Sequence, residues 1–366
     1  MKIGLIRRRF ASAGGAELYL QRLIGGLKAR GHQPHLFAQK WESIEEGVEF
    51  HHVASTGSRA KQPVNFAEAA RKEIKLHPLD CILSLERSLE QDVYRAGDGV
   101  HRIWLERRRK FVPWWKKPFV GVGAFHRNMM QLESRTFDVH TTPAVIVNSE
   151  MVRSEIVECF SYPNERIHLI RNGVETTRFC GLDRSKARRQ FGIRNDQFVV
   201  AFVGSGWERK GLNFLINALE FGRFSTGVRL IVAGKGKKPG NSPSGTIFTG
   251  AIKRVEEVYA AADLFVTLPI YEPSANVVSE ALSAGLPVIT TLQDGASELL
   301  EEAKTGSVIA DPRDAFAVAD KIRYWMDKGG AAGRAVVDVS ALDIRRNVDE
   351  TVALLEKLSM QRRCAS

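Results

Sequence analysis

Short apolar runs alternate with amphipathic stretches along almost the whole chain. The runs that begin at Asp263 (DLFVTL) and Leu286 (LPVITT) are typical of buried parallel strands, which favour β-branched and aromatic residues. Between such runs, apolar side chains recur at helical spacing, for example at Leu212, Leu215 and Leu219. A repeated strand-then-helix order predicts doubly wound parallel sheets of the α/β class.

The length of the chain predicts two domains. Its 366 residues are enough for two units that each bury a core. The pattern places the boundary near Asn172–Arg178, which gives an amino-terminal domain of residues 1–172 and a carboxyl-terminal domain of residues 173–345. There is no run of about 18 apolar residues, so we expect no membrane-spanning helix. The opening MKIGLIRRRF predicts a first strand rather than a secretory signal.

Two glutamates lie in one strand–loop–helix unit near residue 270. Glu272 follows the carboxyl end of a predicted strand, where open α/β sheets bind ligands, and Glu280 lies eight residues later in the next helix. The backbone N–H groups of Ala275, Asn276 and Val277 lie at the start of that helix, which favours a phosphate or a sugar hydroxyl. One carboxylate can hold a pyranose and the other a ribose. The alternative is a solvated loop acid and a helix-surface acid.

The same region resembles a known enzyme family. Glu272 and Glu280 match the E-x7-E motif of retaining nucleotide-sugar glycosyltransferases with the GT-B fold, and AAADLFV, SEALSAGLPVITT, DGASELL and TGSVIADPRD are similar as well. The resemblance implies two Rossmann-like domains facing across a cleft. The first would bind the acceptor and the second the nucleotide sugar, with a final helix at about 346–360 packing back on the first. This chain has Ala275 where the family usually has glycine.

The second half resembles the enzymes that build the lipopolysaccharide core. The resemblance implies transfer of glucose or a related hexose, with retention, from a nucleotide diphosphate donor, expected to be UDP-linked, to a lipopolysaccharide core or similar glycolipid. Glu272 would hold the donor sugar and Glu280 the ribose. No nucleophile is evident, and the family suggests same-face attack with the departing phosphate as base. The alternatives are an enzyme for capsule or another glycolipid, and a non-catalytic nucleic-acid or lipid binder.

A cation pair lies at a second loop-to-helix junction. Arg209 and Lys210 precede the helical pattern of GLNFLINALEF and match the R/K-K-G motif of the family. Two adjacent cations suit a diphosphate, because they neutralise it and stabilise it as a leaving group. The alternative is a solvated basic pair. With no D-x-D signature present, we expect neither a metal nor another cofactor.

The amino-terminal half offers three further candidates. Asp98 and His101 lie in a glycine-containing turn, VYRAGDGVH, where a carboxylate could bind an acceptor hydroxyl and an imidazole could bind the donor sugar or move a proton. The alternatives are an Asx-turn and an ordinary surface histidine. Gly15, after Gly14, lies at a strand-to-helix turn that suits close approach of a donor or is simply a turn.

The stretch RIWLERRRKFVPWWKKPF interleaves cations with aromatic rings. Such a sequence fits peripheral contact with an anionic membrane, or with a phosphorylated glycolipid. A solvated basic face with core aromatics, or a nucleic-acid patch, are the alternatives. Nucleic acid is disfavoured because no recognised binding module accompanies the stretch. The contact residues that it suggests are Trp104, Arg107, Arg108, Arg109, Lys110, Trp114, Trp115, Lys116 and Lys117.

The overall charge is consistent with an acidic partner. A net charge of +11 favours nucleic acid, an anionic lipid surface or a phosphorylated substrate. The four cysteines have neither disulfide-like nor metal-like spacing, which fits a reducing cytosol. We therefore expect a cytoplasmic protein associated peripherally with the inner membrane.

Overall fold

The computed structural model describes residues 1–9, 15–41, 46–224, 227–329 and 338–365. They form two compact units, one of Met1–Asn172 with Ile344–Ser366, the other of Gly173–Asp343. Each unit has its own parallel sheet. Among the helices described, none combines the length and the apolar character needed to cross a bilayer.

The amino-terminal unit is built on seven parallel strands in the order β3-β2-β1-β4-β5-β6-β7. The strands are β1 Lys2–Ile6, β2 Gln33–Ala38, β3 Glu49–His52, β4 Cys81–Ser84, β5 Val93–Arg95, β6 Ala144–Val147 and β7 Ile167–Leu169. Its helices are α1 Gly15–Ala29, α2 Gln62–Ile74, α3 His101–Lys110, α4 Ala124–Thr136 and α5 Glu150–Phe160. A 3-10 helix covers Trp114–Phe119.

The long final helix, named α11 here, spans Ile344–Ala365 and packs on α1 in this unit. Its Val352 and Leu355 are fully buried in one apolar cluster with Leu23 of α1. Close contact depends on Gly26, because a Cβ there would lie 2.3 Å from Cγ1 of Val348. A larger residue at this position would push the two helices apart.

The carboxyl-terminal unit has six parallel strands in the order β10-β9-β8-β11-β12-β13. The strands are β8 Phe198–Val203, β9 Val228–Ala233, β10 Ile247–Gly250, β11 Leu264–Val266, β12 Val288–Thr291 and β13 Gly306–Ile309. The helices are α6 Arg184–Gln190, α7 Leu212–Phe221, α8 Glu256–Ala261, α9 Asn276–Ser283 and α10 Ala315–Asp327.

Burial on both faces of the sheet explains the continuous apolar runs. Along β8, Val199 and Ala201 pack into one core cluster, whereas Val200 and Phe202 pack into another. Successive side chains of a strand point to opposite faces, so a strand covered on both sides must be apolar at every position. The predicted two doubly wound parallel sheets are confirmed.

Both sheets have a topological switch point, where strand order reverses. It lies between β1 and β4 in the first unit and between β8 and β11 in the second. Sheets of this kind bind ligands at the carboxyl ends of the strands beside that point. Functional side chains are therefore expected in the loops that follow these four strands.

Candidate active site

The loops after β8 and β11 meet backbone to backbone in the carboxyl-terminal unit. The N–H groups of Leu268 and Ile270 donate to the carbonyls of Lys210 and Arg209, over 3.1 and 3.2 Å. Gly211 has a φ of +82°, and a Cβ there would lie 2.0 Å from the carbonyl oxygen of Leu268. Only glycine fits this crossing, which brings the cation pair beside the second loop.

Three predicted residues converge where these loops meet. Nη1 of Arg209 lies 2.5 Å from Oε2 of Glu272, and Nζ of Lys210 lies 3.9 Å from the same oxygen. The side chains of Arg209, Glu272 and Lys210 are 41, 18 and 13% exposed, so a ligand can reach them. Two cations face one carboxylate, which leaves positive charge for an anionic ligand.

Asp294, which is not among the predicted site residues, links the start of α9, the end of β12 and the following turn through its carboxylate. It is fully buried, and its Oδ1 accepts the N–H groups of Ala275 and Ala296, each over 3.0 Å. Its Oδ2 accepts the hydroxyl of Thr290 over 2.9 Å. Burial, and then the charge of Glu272, raise the pKa of Asp294 to about 6. The only signal in the sequence was its place in the DGASELL stretch.

The backbone fixes Glu272 to the same turn. Its N–H donates to the carbonyl of Gln293 over 2.8 Å, and its own carbonyl accepts the N–H of Gly295 over 2.9 Å. These bonds set the position of the Glu272 side chain, because the loop cannot move without breaking them.

The structure corrects one predicted ligand group. Ala275 is the N-cap of α9, and its N–H is donated to Asp294 instead of facing a ligand. Buried carboxylates are normally hydrogen-bonded, and the carboxylate of Asp294 accepts this backbone N–H. Asn276 and Val277 are the first two residues of α9, as predicted.

Glu280 lies on α9 and is held by a buried tyrosine. The hydroxyl of Tyr259, on α8, donates to Oε2 of Glu280 over 2.7 Å. Burial raises the pKa of Glu280, while the bond from Tyr259 and the charges of Arg178 and Lys210 act in the opposite direction. One carboxylate oxygen is thereby fixed, which orients the other. The solvated helix-surface alternative for Glu280 is wrong.

Asp98 and His101 lie in the amino-terminal unit, at the carboxyl edge of its sheet. Asp98 is exposed, and His101 is the first residue of α3. Nε2 of His101 lies 3.0 Å from Nδ1 of His126. Burial, with the nearby Arg87 and His126, lowers the pKa of His101 to about 4, so the ring is neutral at pH 7. His101 is half-buried, which rules out the ordinary surface histidine.

A buried ion pair holds this turn in place. Glu133 is 1% exposed, and its Oε1 accepts Nη2 of Arg87 over 2.8 Å and the N–H of His101 over 2.8 Å. The same Nη2 donates to the carbonyl of Gly99 over 2.9 Å. The ion pair between Arg87 and Glu133 therefore connects the turn that carries Asp98 to α4. Neither Arg87 nor Glu133 stood out in the sequence, because 46 residues separate them.

Glu86 marks the switch point of the same sheet. It follows β4, and its Oε1 lies 3.6 Å from Nη1 of Arg7, which follows β1. Burial raises the pKa of Glu86, with a further contribution from the charge of Asp98. The two acids are therefore within electrostatic reach of each other. No motif in the sequence distinguishes Glu86 from an ordinary loop acid.

The remaining candidates are Gly15 and the basic aromatic stretch, whose Trp104 ring is stacked on His101 at 5.5 Å between centroids. Gly15 is the first residue of α1, and Gly14 lies outside the described residues. In the basic aromatic stretch, Trp114, Trp115 and Phe119 are 77, 57 and 74% exposed, so the core-aromatic alternative is wrong for these rings. Trp104 is partly buried, under the guanidinium of Arg108 at 5.3 Å. The remaining cations of the stretch are exposed, apart from the half-buried Arg107.

In the part of the chain that the structure describes, no cluster of metal ligands surrounds the acids of the carboxyl-terminal unit. Among the described residues, some groups of three histidine, cysteine or acidic side chains lie close enough to share one ion. None of these groups includes Glu272, Glu280 or Asp294. Arg209 and Lys210 are cations at this edge that can bind an anionic ligand.

Known proteins share both units. Residues 13–178 match the family described as Glycosyltransferase Family 4, and residues 197–328 match Glycosyl transferases group 1. Lipopolysaccharide glucosyltransferase WaaG of Escherichia coli K12 is 26% identical over 325 residues, covering 82% of each chain.

Solved structures agree on the fold. The crystal structure of WaaG superposes with a TM-score of 0.78 at 22% identity, over 95% of this chain and 98% of that one. The Anabaena protein HepE, crystallised with UDP-glucose, gives 0.70 at 19% identity, over 97 and 100%. This chain is therefore a member of the GT-B glycosyltransferases, related to the glucosyltransferases of the lipopolysaccharide core.

Proposed function

We propose that this chain transfers glucose or a closely related hexose from a UDP-linked donor to a lipopolysaccharide core or similar glycolipid, with retention at the anomeric carbon. The observation that carries the proposal is the convergence of Arg209 and Lys210 on Glu272 at the switch point of the carboxyl-terminal sheet. A nucleotide sugar needs both a cationic and an anionic partner, since its diphosphate is charged and its sugar carries hydroxyls.

Each group has a place in donor binding. Arg209 and Lys210 bind the diphosphate, and the start of α9 at Asn276 and Val277 adds its partial positive charge. Glu272 accepts hydrogen bonds from hydroxyls of the donor sugar. Glu280, oriented by Tyr259, accepts those of the ribose. Asp294 keeps Glu272 and α9 in position and does not touch the donor.

The chemistry follows from the charges. The acceptor oxygen attacks the anomeric carbon on the face from which the diphosphate leaves. The bond from that carbon to the phosphate oxygen breaks, and the acceptor proton passes to the departing phosphate. Arg209 and Lys210 stabilise the negative charge that develops there. This route needs neither an enzyme nucleophile nor a metal, so we expect an unchanged transfer rate in EDTA.

The amino-terminal unit supplies the acceptor groups in this proposal. Asp98 is exposed and can accept a hydrogen bond from the acceptor hydroxyl. His101 is neutral at pH 7, so it can bind a sugar hydroxyl without adding charge. Gly15, at the start of α1, belongs to the donor side of the proposal, where the missing side chain lets the donor approach the backbone closely.

The relatives support the donor and the acceptor class. HepE was crystallised with UDP-glucose, and WaaG is named for a lipopolysaccharide acceptor. A capsule or other glycolipid acceptor uses the same site, and acceptor screening separates the two. A donor screen by thermal shift comes first, because a nucleotide sugar that binds the native state raises its melting temperature.

The central test is a UDP-release assay with the donor found in that screen. Glu272→Gln keeps the size of the side chain and removes its charge, so we expect at least a hundredfold loss of kcat/KM, about 3 kcal/mol. Glu220→Gln, on the exposed face of α7, is the matched control and should keep full activity. Full activity in Glu272→Gln would remove this residue from the mechanism.

We also propose that the basic aromatic stretch, residues 102–119, contacts the cytoplasmic face of the inner membrane. Trp114 and Trp115 are exposed beside Lys116 and Lys117, which fits rings at the headgroups and cations on anionic lipid. Lys116→Gln with Lys117→Gln should weaken binding to anionic vesicles and leave neutral vesicles unaffected. Unchanged binding to anionic vesicles would exclude this stretch as the contact.

A further inference from the structure

Three histidines and two glutamates gather beside strands β2 and β3 of the amino-terminal unit. The histidine cluster, as we name it, consists of His35, Glu49, His51, Glu73 and His77. Glu49 is the first residue of β3, and Glu73 and His77 lie at and after the end of α2. Glu49 thus lies at the amino end of its strand, whereas Glu86 and Asp98 follow the carboxyl ends of β4 and β5. The histidine cluster has no role in the proposed sugar transfer.

The strand register places three of these side chains on one face. His35 of β2 pairs with Glu49 of β3, and His51 follows Glu49 by two residues. Alternate residues of a strand share a face, and paired residues of neighbouring strands do as well. His35, Glu49 and His51 therefore point to the same side of the sheet.

The distances between their polar atoms are those of a ligand set. Nδ1 of His35 lies 3.0 Å from Nε2 of His51, and the carboxylate oxygens of Glu49 lie 3.6 and 3.7 Å from these two nitrogens. In a tetrahedral zinc site, with bonds of about 2.0–2.1 Å, neighbouring ligand atoms lie about 3.4 Å apart. The separation of 3.0 Å between the two nitrogens and the two Glu49 distances of 3.6 and 3.7 Å, each from a different carboxylate oxygen, lie close to that value.

Burial and exposure suit a metal that enters from solvent. His35 and His51 are 3 and 7% exposed, whereas the side chain of Glu49 is 62% exposed and leaves one side open. Both imidazoles are buried, and neutral imidazole is the form that binds metals.

We propose that His35, Glu49 and His51 form a binding site for a divalent transition metal of the zinc type. Two imidazole nitrogens and one carboxylate oxygen are borderline ligands, which suit zinc better than magnesium or calcium. A fourth position is open to water or to a neighbouring side chain. The ion would fasten the edge strand β3 to β2, so its role is structural and independent of transfer.

No sequence motif points to this site. Its ligands follow neither the paired-cysteine nor the HExxH spacing, because His35 and the Glu49–His51 pair come from different strands. The proposed site departs from the expectation, drawn from the absence of a D-x-D signature, that the chain holds no metal.

The test is zinc titration of the full-length, chelator-treated chain against a chromophoric chelator. We expect one zinc ion per chain at this site and a melting temperature that rises with zinc. Glu49→Gln and His51→Gln should each weaken zinc binding at least tenfold, since even outer partners of a metal ligand cost about that much. Because Glu49 is exposed, its variant should fold even where His51→Gln does not.

Two controls keep the result specific. His52 is the next residue of β3, is exposed and belongs to the opposite face, so His52→Gln should bind zinc like the unaltered chain. Glu73→Gln should also retain affinity. The proposal is overturned if the unaltered chain shows no saturable zinc binding. It is equally overturned if Glu49→Gln binds as tightly as the unaltered chain, or if only Glu73→Gln loses the metal.

Discussion

The buried carboxyl of Asp294 gives the sharpest quantitative prediction. Its pKa rises from an ordinary value of 3.8 to about 6 in the folded chain. A group whose folded pKa is raised binds more protons in the folded state, so the stability that it contributes is lost as pH rises from about 4 to 6. The difference of about 2 pKa units corresponds to about 3 kcal/mol.

Asp294→Asn removes this dependence while keeping the hydrogen bonds. The amide oxygen can still accept from Ala275 and Ala296, and the amide nitrogen can donate to the hydroxyl of Thr290. The free energy of unfolding of the variant, minus that of the unaltered chain, should therefore increase by about 3 kcal/mol as the pH rises from 4 to 7. Asp294→Ala leaves two buried N–H groups without their acceptor and should lose about 2–6 kcal/mol.

The assay is urea unfolding of the three proteins at several pH values from 4 to 7. The informative quantity is the difference in unfolding free energy between Asp294→Asn and the unaltered chain, plotted against pH. A flat difference would refute the reasoning, because an Asp294 with an ordinary pKa gives no slope in this range. Equal losses in the asparagine and alanine variants would show instead that the shape of the carboxylate matters more than its hydrogen bonds.

Three further predictions concern other contacts. Gly26→Ala should destabilise the amino-terminal unit by about 1–3 kcal/mol in urea unfolding, because the new methyl group overlaps Val348; unchanged stability would show that α11 can move away. Tyr259→Phe should raise the donor KM about tenfold with little change in kcat, since Glu280 loses a hydrogen bond of about 1.5 kcal/mol; an effect on kcat alone would contradict a binding role. Arg87→Met should cost about 3–5 kcal/mol in thermal or urea unfolding, because Glu133 is left charged and buried. Adding Glu133→Leu should restore much of that loss, and a double variant no more stable than the single one would contradict the explanation.

The candidate site was partly visible in the sequence. Glu272, Arg209 and Lys210 were placed correctly at strand ends, because the carboxyl edge of a parallel sheet follows from the order of strands and helices. The order of strands and helices does not show whether the Ala275 N–H is free to bind a ligand or is bonded within the protein. Its partner Asp294 lies 19 residues later and reaches it only through the packing of the intervening strand.

The sequence by itself determined the elements, since the period of apolar residues encodes local structure and the burial of each face. It therefore indicated two parallel sheets and the loops that carry Glu272, Glu280 and the cation pair. Only the tertiary structure decided the partners of these residues: Tyr259 for Glu280, Asp294 for the turn and Arg87 with Glu133 for the Asp98 loop. It alone brought His35, Glu49 and His51 together. The physical reason is that hydrogen bonds and ion pairs act over a few ångströms in space, whereas sequence patterns describe only neighbours along the chain.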